Sequence, residues 1–417
     1  MTTLMTDMKS GPRMPSQSLG FALVAVLTLA LGNLPGMAES KIAFWDSPRH
    51  GANLFNQVEL KERLMAARRA GVEFVRLAPN KWLNGRPESR RGDFLLGRPE
   101  AFASLDTNDL ALLIHVLDDA HAADLKVVLT MLSLPGSRWS QHNGGVQEFT
   151  LWQDFGRQEQ AIDCWRQLAG ALKHHPAVVG YNLLNEPCPE HATRPRLADW
   201  YTGDYEAWQA KVRDTPADLS RFYDKGVRAI REIDSETPII LDSGFYATPW
   251  AFKVLRPVGD ANTLYSFHLY EPFAFTTHRN KGRYVYPGKI PTGESDEPPV
   301  EEWNRTRMAS FLEPVIEWQK RWHIPARRIL VGEVGVCRLN EGAAQYLDDA
   351  LTVFSEQGWH WAFYSFREDN WDLMDYGLGT TKPTAAYWQA IKAGRMPGDD
   401  VYRGSPIFDA IKRRLRP

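Results

Sequence analysis

The chain has 417 residues, of which 43% are hydrophobic and 24% are charged. These ordinary proportions exclude a collagen-like or wholly disordered chain, and the length suits one large α/β barrel with insertions or two to three smaller domains. The 49 basic and 51 acidic side chains give a net charge of −2, so nothing favours a polyanion and we expect no nucleic-acid partner.

Residues 1–38 are expected to be a signal peptide. Lys9 and Arg13 precede an apolar run of twelve residues, 21–32, and small residues follow it. This layout is typical of a secretory signal, and the run is shorter than the about 20 residues that a membrane-spanning helix needs. The alternative is an uncleaved membrane anchor. We therefore predict a secreted or periplasmic protein whose domain, 39–417, has no stable membrane association after cleavage.

Short runs rich in β-branched and aromatic residues then alternate with longer helical patterns. The strand candidates are 42–54, 72–77, 126–132, 177–184, 238–242, 263–270, 329–336 and 359–366. The helix candidates are 58–70, 106–123, 158–173, 205–233, 303–322, 341–356 and 384–393. Continuous apolar runs are typical of parallel strands that are covered on both faces. Eight strands that alternate with helices predict an α/β fold, a single (β/α)8 TIM barrel.

A long predicted loop, 284–299, is polar and rich in proline, and it lies between the sixth strand and its helix. Barrel enzymes build their sites from the loops that follow the strands. We therefore expect extended loops at the C-terminal face of the barrel, where this insertion either leaves a cleft open or closes one of its ends.

Neither a cofactor nor a metal is predicted. The three cysteines lie far apart and form no C-x-x-C motif, so we expect buried free thiols rather than a disulfide framework or a zinc ribbon. No glycine-rich phosphate loop follows any predicted strand, which argues against a nucleotide site.

Two glutamates lie at the ends of predicted strands. Glu186 follows the fourth strand, between Asn185 and Pro187, and Glu333 lies in the seventh strand after Gly332. Because the carboxyl ends of barrel strands meet at one rim, we expect the two side chains to face each other across it. A separation of about 5–5.5 Å suits glycoside hydrolysis by double displacement. For either glutamate alone, a salt bridge or a place near a helix N-terminus is the simpler interpretation.

Four motifs in chain order resemble those of glycoside hydrolase family 5, the cellulase family of retaining (β/α)8-barrel glycosidases. They are Val75-Arg76-Leu77, Tyr181-Asn182-Leu183-Leu184-Asn185-Glu186-Pro187, Ser266-Phe267-His268-Leu269-Tyr270 and Val331-Gly332-Glu333. The resemblance covers about residues 45–395, and residues 39–417 would then be the catalytic domain.

The resemblance implies a role for each matching residue. Glu186 matches the general acid/base and Glu333 the nucleophile, while Asn185 matches the residue that binds the sugar 2-hydroxyl. The other matches are supporting residues: Arg76 should lie under Glu333 and keep it ionised, Tyr270 should donate a hydrogen bond to Glu333, and His268 should lie beside Glu186.

Two positions depart from the family pattern. Leu132 stands where the family commonly has a histidine, and His142 or Asn143 in the following loop is a candidate to replace it. Tyr364 stands where the family usually has a tryptophan, so it would form a different floor for the sugar.

Tryptophans that follow predicted strands are candidates for stacking on sugar rings. They are Trp82, Trp139, Trp250 and Trp371, and for each of them plain packing is the alternative. The charged run 367–369 and Asp372 follow the eighth strand, where they would either bind sugar hydroxyls or form a solvated loop.

The resemblance implies a retaining endo-β-1,4-glucanase that acts as a monomer on a β-linked polysaccharide or oligosaccharide. Other activities with the same chemistry remain open: β-mannanase, xyloglucanase, β-1,3-glucanase and exo-acting glucosidase. A non-catalytic carbohydrate-binding barrel is the alternative from another class, and Leu132 is the residue that favours it.

Overall fold

Eight parallel strands close into a barrel in the computed structural model of the chain, which describes residues 40–83, 92–194, 196–197, 199–293, 295–402 and 404–415. The barrel strands are β1 (His50–Leu54), β2 (Phe74–Leu77), β3 (Lys126–Thr130), β4 (Val178–Asn182), β5 (Ile239–Asp242), β6 (Thr263–Leu269), β9 (Ile329–Val334) and β10 (His360–Phe363). Each is paired in parallel with its neighbours in chain order, and β10 returns to β1. The predicted (β/α)8 fold is confirmed.

Helices connect the strands and cover the outside of the barrel. They are α1 (Leu60–Arg69), α2 (Thr107–Ala122), α3 (Phe155–Leu172), α4 (Pro189–Ala192), α5 (Tyr205–Val212), α6 (Leu219–Arg231), α7 (Phe273–Thr276), α8 (Arg305–Phe311), α9 (Glu313–Trp322), α10 (Ala343–Gln357), α11 (Ala385–Lys392) and α12 (Pro406–Lys412). Their apolar faces pack with outward-facing strand residues such as Val75, Val127 and Leu129 in a large continuous core. This packing holds the strand ends in fixed positions.

Two predicted helices are each divided into two. The pattern over 205–233 is interrupted between α5 and α6, where Asp218 caps α6 by accepting from the backbone N–H of Arg221. The pattern over 303–322 begins in a strand and is interrupted at Leu312, after which Pro314 lies in the first turn of α9. Proline suits a helix start because it lacks an N–H, so the single long helices of the sequence prediction were wrong.

The first predicted strand is also shorter than expected. Lys41–Asp46 forms a 3-10 helix, and only His50–Leu54 is strand. Trp45 is fully buried among inward-facing strand residues such as Phe74 and Val128, and its indole N–H donates to the carbonyl of Val179 over 2.9 Å. The apolar residues before His50 therefore contribute to the inner core of the barrel rather than to its sheet.

The insertion 284–299 contains a strand that the sequence analysis missed. β7 (Gly288–Pro291) pairs in antiparallel fashion with β8 (Val300–Trp303), outside the barrel. Tyr201 donates a hydrogen bond of 2.6 Å to Glu301 of this hairpin. The hairpin thus braces the loop that follows β4.

The sequence analysis also predicts the state of the cysteines and the relation of the chain to membranes. All three cysteines, Cys164, Cys188 and Cys337, are free and buried, as predicted. No helix within the described ranges has the length and hydropathy of a membrane span. The predicted signal peptide, 1–38, lies outside the described residues.

Candidate active site

A cleft with a volume of about 330 Å³ opens at the carboxyl ends of the barrel strands. Residues after or within all eight barrel strands line it, and the catalytic candidates Glu186 and Glu333 are among them. Its apolar and aromatic walls include Phe55, Leu132, Trp139, Trp200, Tyr364 and Trp371. A concave site with such walls and a few convergent polar groups suits a small ring-shaped ligand.

The two glutamates lie close together at the floor of this cleft. Glu186 follows β4, Glu333 lies in β9, and one oxygen of each carboxyl group lies within 4.8 Å of the other and of a ring nitrogen of His268. Inverting glycosidases keep their two carboxyl groups about 6.5–9.5 Å apart to admit a water molecule, whereas retaining enzymes keep them at about 5–5.5 Å. The approach of the nearest oxygens to within 4.8 Å agrees with the shorter separation.

Arg76 fixes the position of Glu333 from below. Its side chain is fully buried and donates over 2.9 Å to Glu333, over 2.8 Å to Asn53, over 2.7 Å to Asn182 and over 3.0 Å to Asn185. A buried charge needs both a counter-ion and hydrogen bonds, and this network supplies them. The guanidinium therefore orients Glu333 and Asn185 together.

Glu186 has different neighbours. Its side chain is joined to Nδ1 of His268 by a hydrogen bond of 2.8 Å, and its backbone N–H donates to Asp242 over 3.2 Å. Its φ of 51° lies in the left-handed region, which non-glycine residues adopt at a cost that surrounding contacts must offset. The site holds Glu186 in this conformation between β4, β5 and β6.

These neighbours separate the protonation of the two carboxyl groups. Burial raises the pKa of Glu186 well above its usual value, and the negative charges of Glu333 and Asp242 raise that pKa further. Burial leaves the pKa of Glu333 above its usual value as well, but the cation of Arg76 and the hydroxyl of Tyr270, which donates to Glu333 over 2.5 Å, oppose this increase. Glu186 is thus the group that retains a proton while Glu333 ionises.

His268 is neutral beside this pair. Burial and the charge of Arg76 lower its pKa well below the usual value. Glu186, His268 and Glu333 offer ligand atoms at a spacing that a metal ion could accept. Both oxygens of Glu333, however, already accept hydrogen bonds, from Arg76 and Tyr270. The hydrogen-bonding capacity of Glu333 is thus directed to Arg76 and Tyr270.

The structure places most of the other sequence-predicted residues at the cleft. Tyr364, Trp371 and Trp139 line it, and the ring of Trp371 contacts Tyr364 edge-on with centroids 5.2 Å apart. Leu132 also lines the cleft. The side chain of His142 lies outside the described part of the chain, although its backbone belongs to a 3-10 turn, Ser140–His142.

Two of the four candidate tryptophans pack elsewhere. Trp82 is buried against Phe94, and Trp250 packs edge-on against Tyr201 with ring centroids 4.7 Å apart. Trp200, which the sequence analysis did not single out, lines the cleft instead. It lies in a loop far from the end of β4, so its position in the sequence gave no signal.

The charged run after the eighth strand binds other side chains. Glu368 forms a buried ion pair with Arg63, and Asp369 forms one of 2.9 Å with Arg338. Asp372 accepts a hydrogen bond from the backbone N–H of His278 over 2.9 Å. The interpretation as a solvated loop is therefore wrong for Glu368 and Asp369, whereas Arg367 pairs over 3.1 Å with the exposed Asp399, and binding of sugar hydroxyls stays a prediction.

A turn after β5 carries part of the cleft wall. Phe245 and Tyr246 line the cleft with left-handed φ values of 46° and 60°. The carboxylate of Glu190 accepts from the backbone N–H of Phe245 over 3.0 Å, and His191 is joined to the hydroxyl of Tyr246 over 2.9 Å. The ring of Trp139 packs on Tyr246 with centroids 5.7 Å apart. Glu190 and His191 thus stabilise the unfavourable backbone conformation of Phe245 and Tyr246, which form an aromatic wall of the cleft.

Glu190→Gln is expected to remove part of the pH dependence of stability. Burial raises the pKa of Glu190 from 4.5 to about 7, so its neutral form stabilises the fold below pH 4.5 and this contribution is lost as the pH rises to about 7. We expect Glu190→Gln to become more stable relative to wild type by about 1–3 kcal/mol between pH 4.5 and pH 7.5.

Urea unfolding of both proteins across this range measures the difference. Glu206→Gln, at an exposed position of α5, controls for the loss of a negative charge. A wild-type advantage that stays constant across the range contradicts the prediction.

Comparison with known proteins supplies independent findings. The sequence model of the family described as Cellulase (glycosyl hydrolase family 5) matches residues 37–370. Endoglucanase C of Acetivibrio thermocellus is 23% identical over 274 residues, which are 60% of this chain and 71% of that protein. A β-xylosidase of Phanerodontia chrysosporium is 23% identical over 350 residues, which are 77% of this chain and 61% of that protein.

A solved structure shows the same fold at low identity. The endoglucanase Cel5A of Pseudomonas stutzeri superposes with a TM-score of 0.54 and 16% identity, over 89% of this chain and 97% of that one.

Proposed function

The chain belongs to glycosyl hydrolase family 5, and from this premise we propose that it is a retaining endo-β-1,4-glucanase that uses Glu186 and Glu333. The observation that carries the proposal is the short distance between these carboxyl groups, whose nearest oxygens lie within 4.8 Å of each other. The guanidinium of Arg76 contacts Glu333 and not Glu186, which distinguishes the two. The chain is thus a glycoside hydrolase, and the proposal concerns its residues and its substrate.

In the first step, Glu333 attacks the anomeric carbon while Glu186 gives its proton to the leaving glycosidic oxygen. The carbon–oxygen bond breaks and an ester bond forms between the sugar and Glu333. In the second step, Glu186 takes a proton from water, whose oxygen attacks the same carbon and releases Glu333. Two displacements at one carbon retain its configuration.

The surrounding contacts support this division of roles. The ion pair of 2.9 Å with Arg76 favours the ionised form of Glu333 that the attack requires. Asn185, held at 3.0 Å from Arg76, is oriented to bind the sugar 2-hydroxyl. His268 and Tyr270 position the two carboxyl groups, and the rings of Trp139, Tyr364 and Trp371 offer faces for sugar rings.

An open cleft favours action within a polymer. Apart from Glu294, which is outside the described residues, no residue of the insertion 284–299 lines the cleft. This argues against closure of one end by the insertion. The similarity to Endoglucanase C supports a β-glucan substrate. We propose that the protein acts as a secreted or periplasmic monomer through its domain 39–417, without a metal or cofactor.

A panel of soluble β-glycans tests this proposal. We expect the mature chain to release reducing ends from carboxymethylcellulose and barley glucan, with an early loss of viscosity that reflects internal cleavage. Mannan, xyloglucan, laminarin and aryl β-xylosides are the competing substrates. Preferential cleavage of one of these, or release of reducing ends without loss of viscosity, would replace the endo-β-1,4-glucanase assignment. Binding of glycans without cleavage would favour the non-catalytic barrel.

A further inference from the structure

Lys81 is a charged residue of the cleft that the mechanism above does not use. It ends a 3-10 turn, Pro79–Lys81, directly after β2, and its side chain lines the cleft beside Phe55. Its ammonium nitrogen lies 5.8 Å from the centroid of the Phe55 ring. Among the residues that the structure describes, the ammonium has no hydrogen bond and no ion pair within 4.0 Å.

The nearest negative charges are engaged with other groups. Glu368 is paired with Arg63 and accepts from the backbone N–H of Phe55 over 3.1 Å, and Glu333 is paired with Arg76. Burial lowers the pKa of Lys81, while the charges of Glu368, Glu333 and Glu186 oppose this decrease. A partly buried ammonium is stabilised by a hydrogen-bond acceptor, and a ligand in the cleft would supply one where the described residues do not.

The composition of the adjacent wall strengthens this argument. The loops after β1, β2 and β3 contribute Phe55, Lys81, Leu132, Trp139 and Gln141 to the cleft. Lys81 is the only charged side chain among these five, and the same cleft is lined by Leu132, which stands where the family pattern has a polar residue. The backbone N–H of Leu132 is itself occupied, since it donates over 2.8 Å to the side chain of Asn80.

We propose that Lys81 is a specificity-determining residue, which donates a hydrogen bond to an oxygen of the sugar on the glycone side of the scissile bond. This inference rests on the proposed function of the two glutamates. The glycone is the sugar attacked by Glu333, and Lys81 follows β2, the strand whose Arg76 is paired with Glu333 over 2.9 Å. Lys81 thus supplies a cationic hydrogen-bond donor in a wall where Leu132 offers only an apolar side chain.

A mechanism-based inactivator isolates contacts with the glycone. 2,4-Dinitrophenyl 2-deoxy-2-fluoro-β-cellobioside loses dinitrophenolate when a nucleophilic carboxylate forms an ester bond with its anomeric carbon. Because dinitrophenolate leaves without a proton, the rate of inactivation does not depend on the acid/base. It therefore reports how the protein binds the glycone. Hydrogen bonds to a charged group contribute about 1.5–3 kcal/mol, so Lys81→Met should lower the second-order inactivation constant about 10–100-fold.

Two further variants make the result specific. Lys81→Arg keeps a cationic donor and should recover most of the loss, while Lys320→Met, at an exposed position of α9, should match wild type. Loss of the ammonium should also raise the pH at which inactivation becomes half-maximal, because the cation near Glu333 favours its ionised form. Thermal unfolding of each variant shows whether the fold is intact.

The outcomes separate the two proposals. Wild type that is not inactivated, or is not labelled at Glu333, overturns the proposed function and this inference with it. Wild type labelled at Glu333 together with unchanged inactivation of a folded Lys81→Met leaves the proposed function in place and overturns the role of Lys81. An equal loss in Lys81→Met and Lys81→Arg also overturns it, because a donor cation would then not be what matters.

Discussion

Glu333→Ala is expected to lower kcat/KM for β-glucan by a factor of about 10⁴–10⁶, the range seen when an enzyme loses its nucleophile. Without this carboxylate the sugar ester cannot form, and the leaving group has no attacking partner on the opposite face. Arg76 would also lose its counter-ion at 2.9 Å. Initial rates of reducing-sugar release measure the effect, and Glu317→Ala, at an exposed position of α9, is the matched control.

Azide distinguishes loss of a nucleophile from loss of structure. The alanine leaves space at the floor of the cleft, so azide can attack an activated aryl β-cellobioside there in one displacement. We expect Glu333→Ala to form the α-glycosyl azide and to recover part of its rate. Activity of Glu333→Ala within tenfold of wild type, or a β-configured azide product, contradicts the assignment of the nucleophile.

Glu186→Ala is expected to lower the rate on β-glucan by about 10²–10⁴-fold, the usual contribution of a general acid or base. Its effect should depend on the leaving group, because a dinitrophenolate departs without a proton whereas a sugar alcohol does not. The variant should therefore accumulate the sugar ester on Glu333 when it is given an activated aryl glycoside. The fall in kcat at high pH should also disappear, since this fall reflects ionisation of the raised pKa of Glu186.

Rapid-mixing kinetics measure this second prediction. A burst of dinitrophenolate followed by slow turnover identifies slow hydrolysis of the ester, and azide should then yield the β-glycosyl azide. An equal loss on β-glucan and on the activated glycoside would contradict the role of Glu186 as proton donor. The opposite azide products of the two variants would establish both roles within one set of experiments.

Much of the barrel could be predicted from the sequence, because its strands are short, apolar and covered on both faces. Glu186 and Glu333 were found because titratable residues at the ends of such strands are candidates for chemistry, and Arg76 was found because its strand resembles a family motif. The family match over residues 37–370 confirms the resemblance that these motifs indicated.

The rest depends on distances that a linear sequence does not display. Asn53 and Asp242 end buried strands in the same way as Asn182, yet only folding around the barrel brings them to Arg76 and Glu186. Polar residues within otherwise apolar strand ends were the signal that could have identified them. Trp200 offered no such signal, because a long loop carries it to the cleft.

Charged residues after strand ends were the least predictable. Glu368 and Lys81 look equivalent in the sequence, since each follows a barrel strand within a polar stretch. Glu368 is held in a buried ion pair with Arg63, whereas Lys81 faces the cleft without a bonded partner among the described residues. A charged side chain is structural or free to bind a ligand according to its partners, and these partners are far away in the sequence.

The stereochemistry of hydrolysis tests the central claim most directly. Proton NMR can follow the anomeric signal of the first sugar that wild-type protein releases from a β-linked cello-oligosaccharide, before mutarotation mixes the two forms. Double displacement at carboxyl groups within 4.8 Å predicts that the β-anomer appears first. Initial release of the α-anomer would mean a single displacement by water, and it would contradict the role of Glu333 as nucleophile.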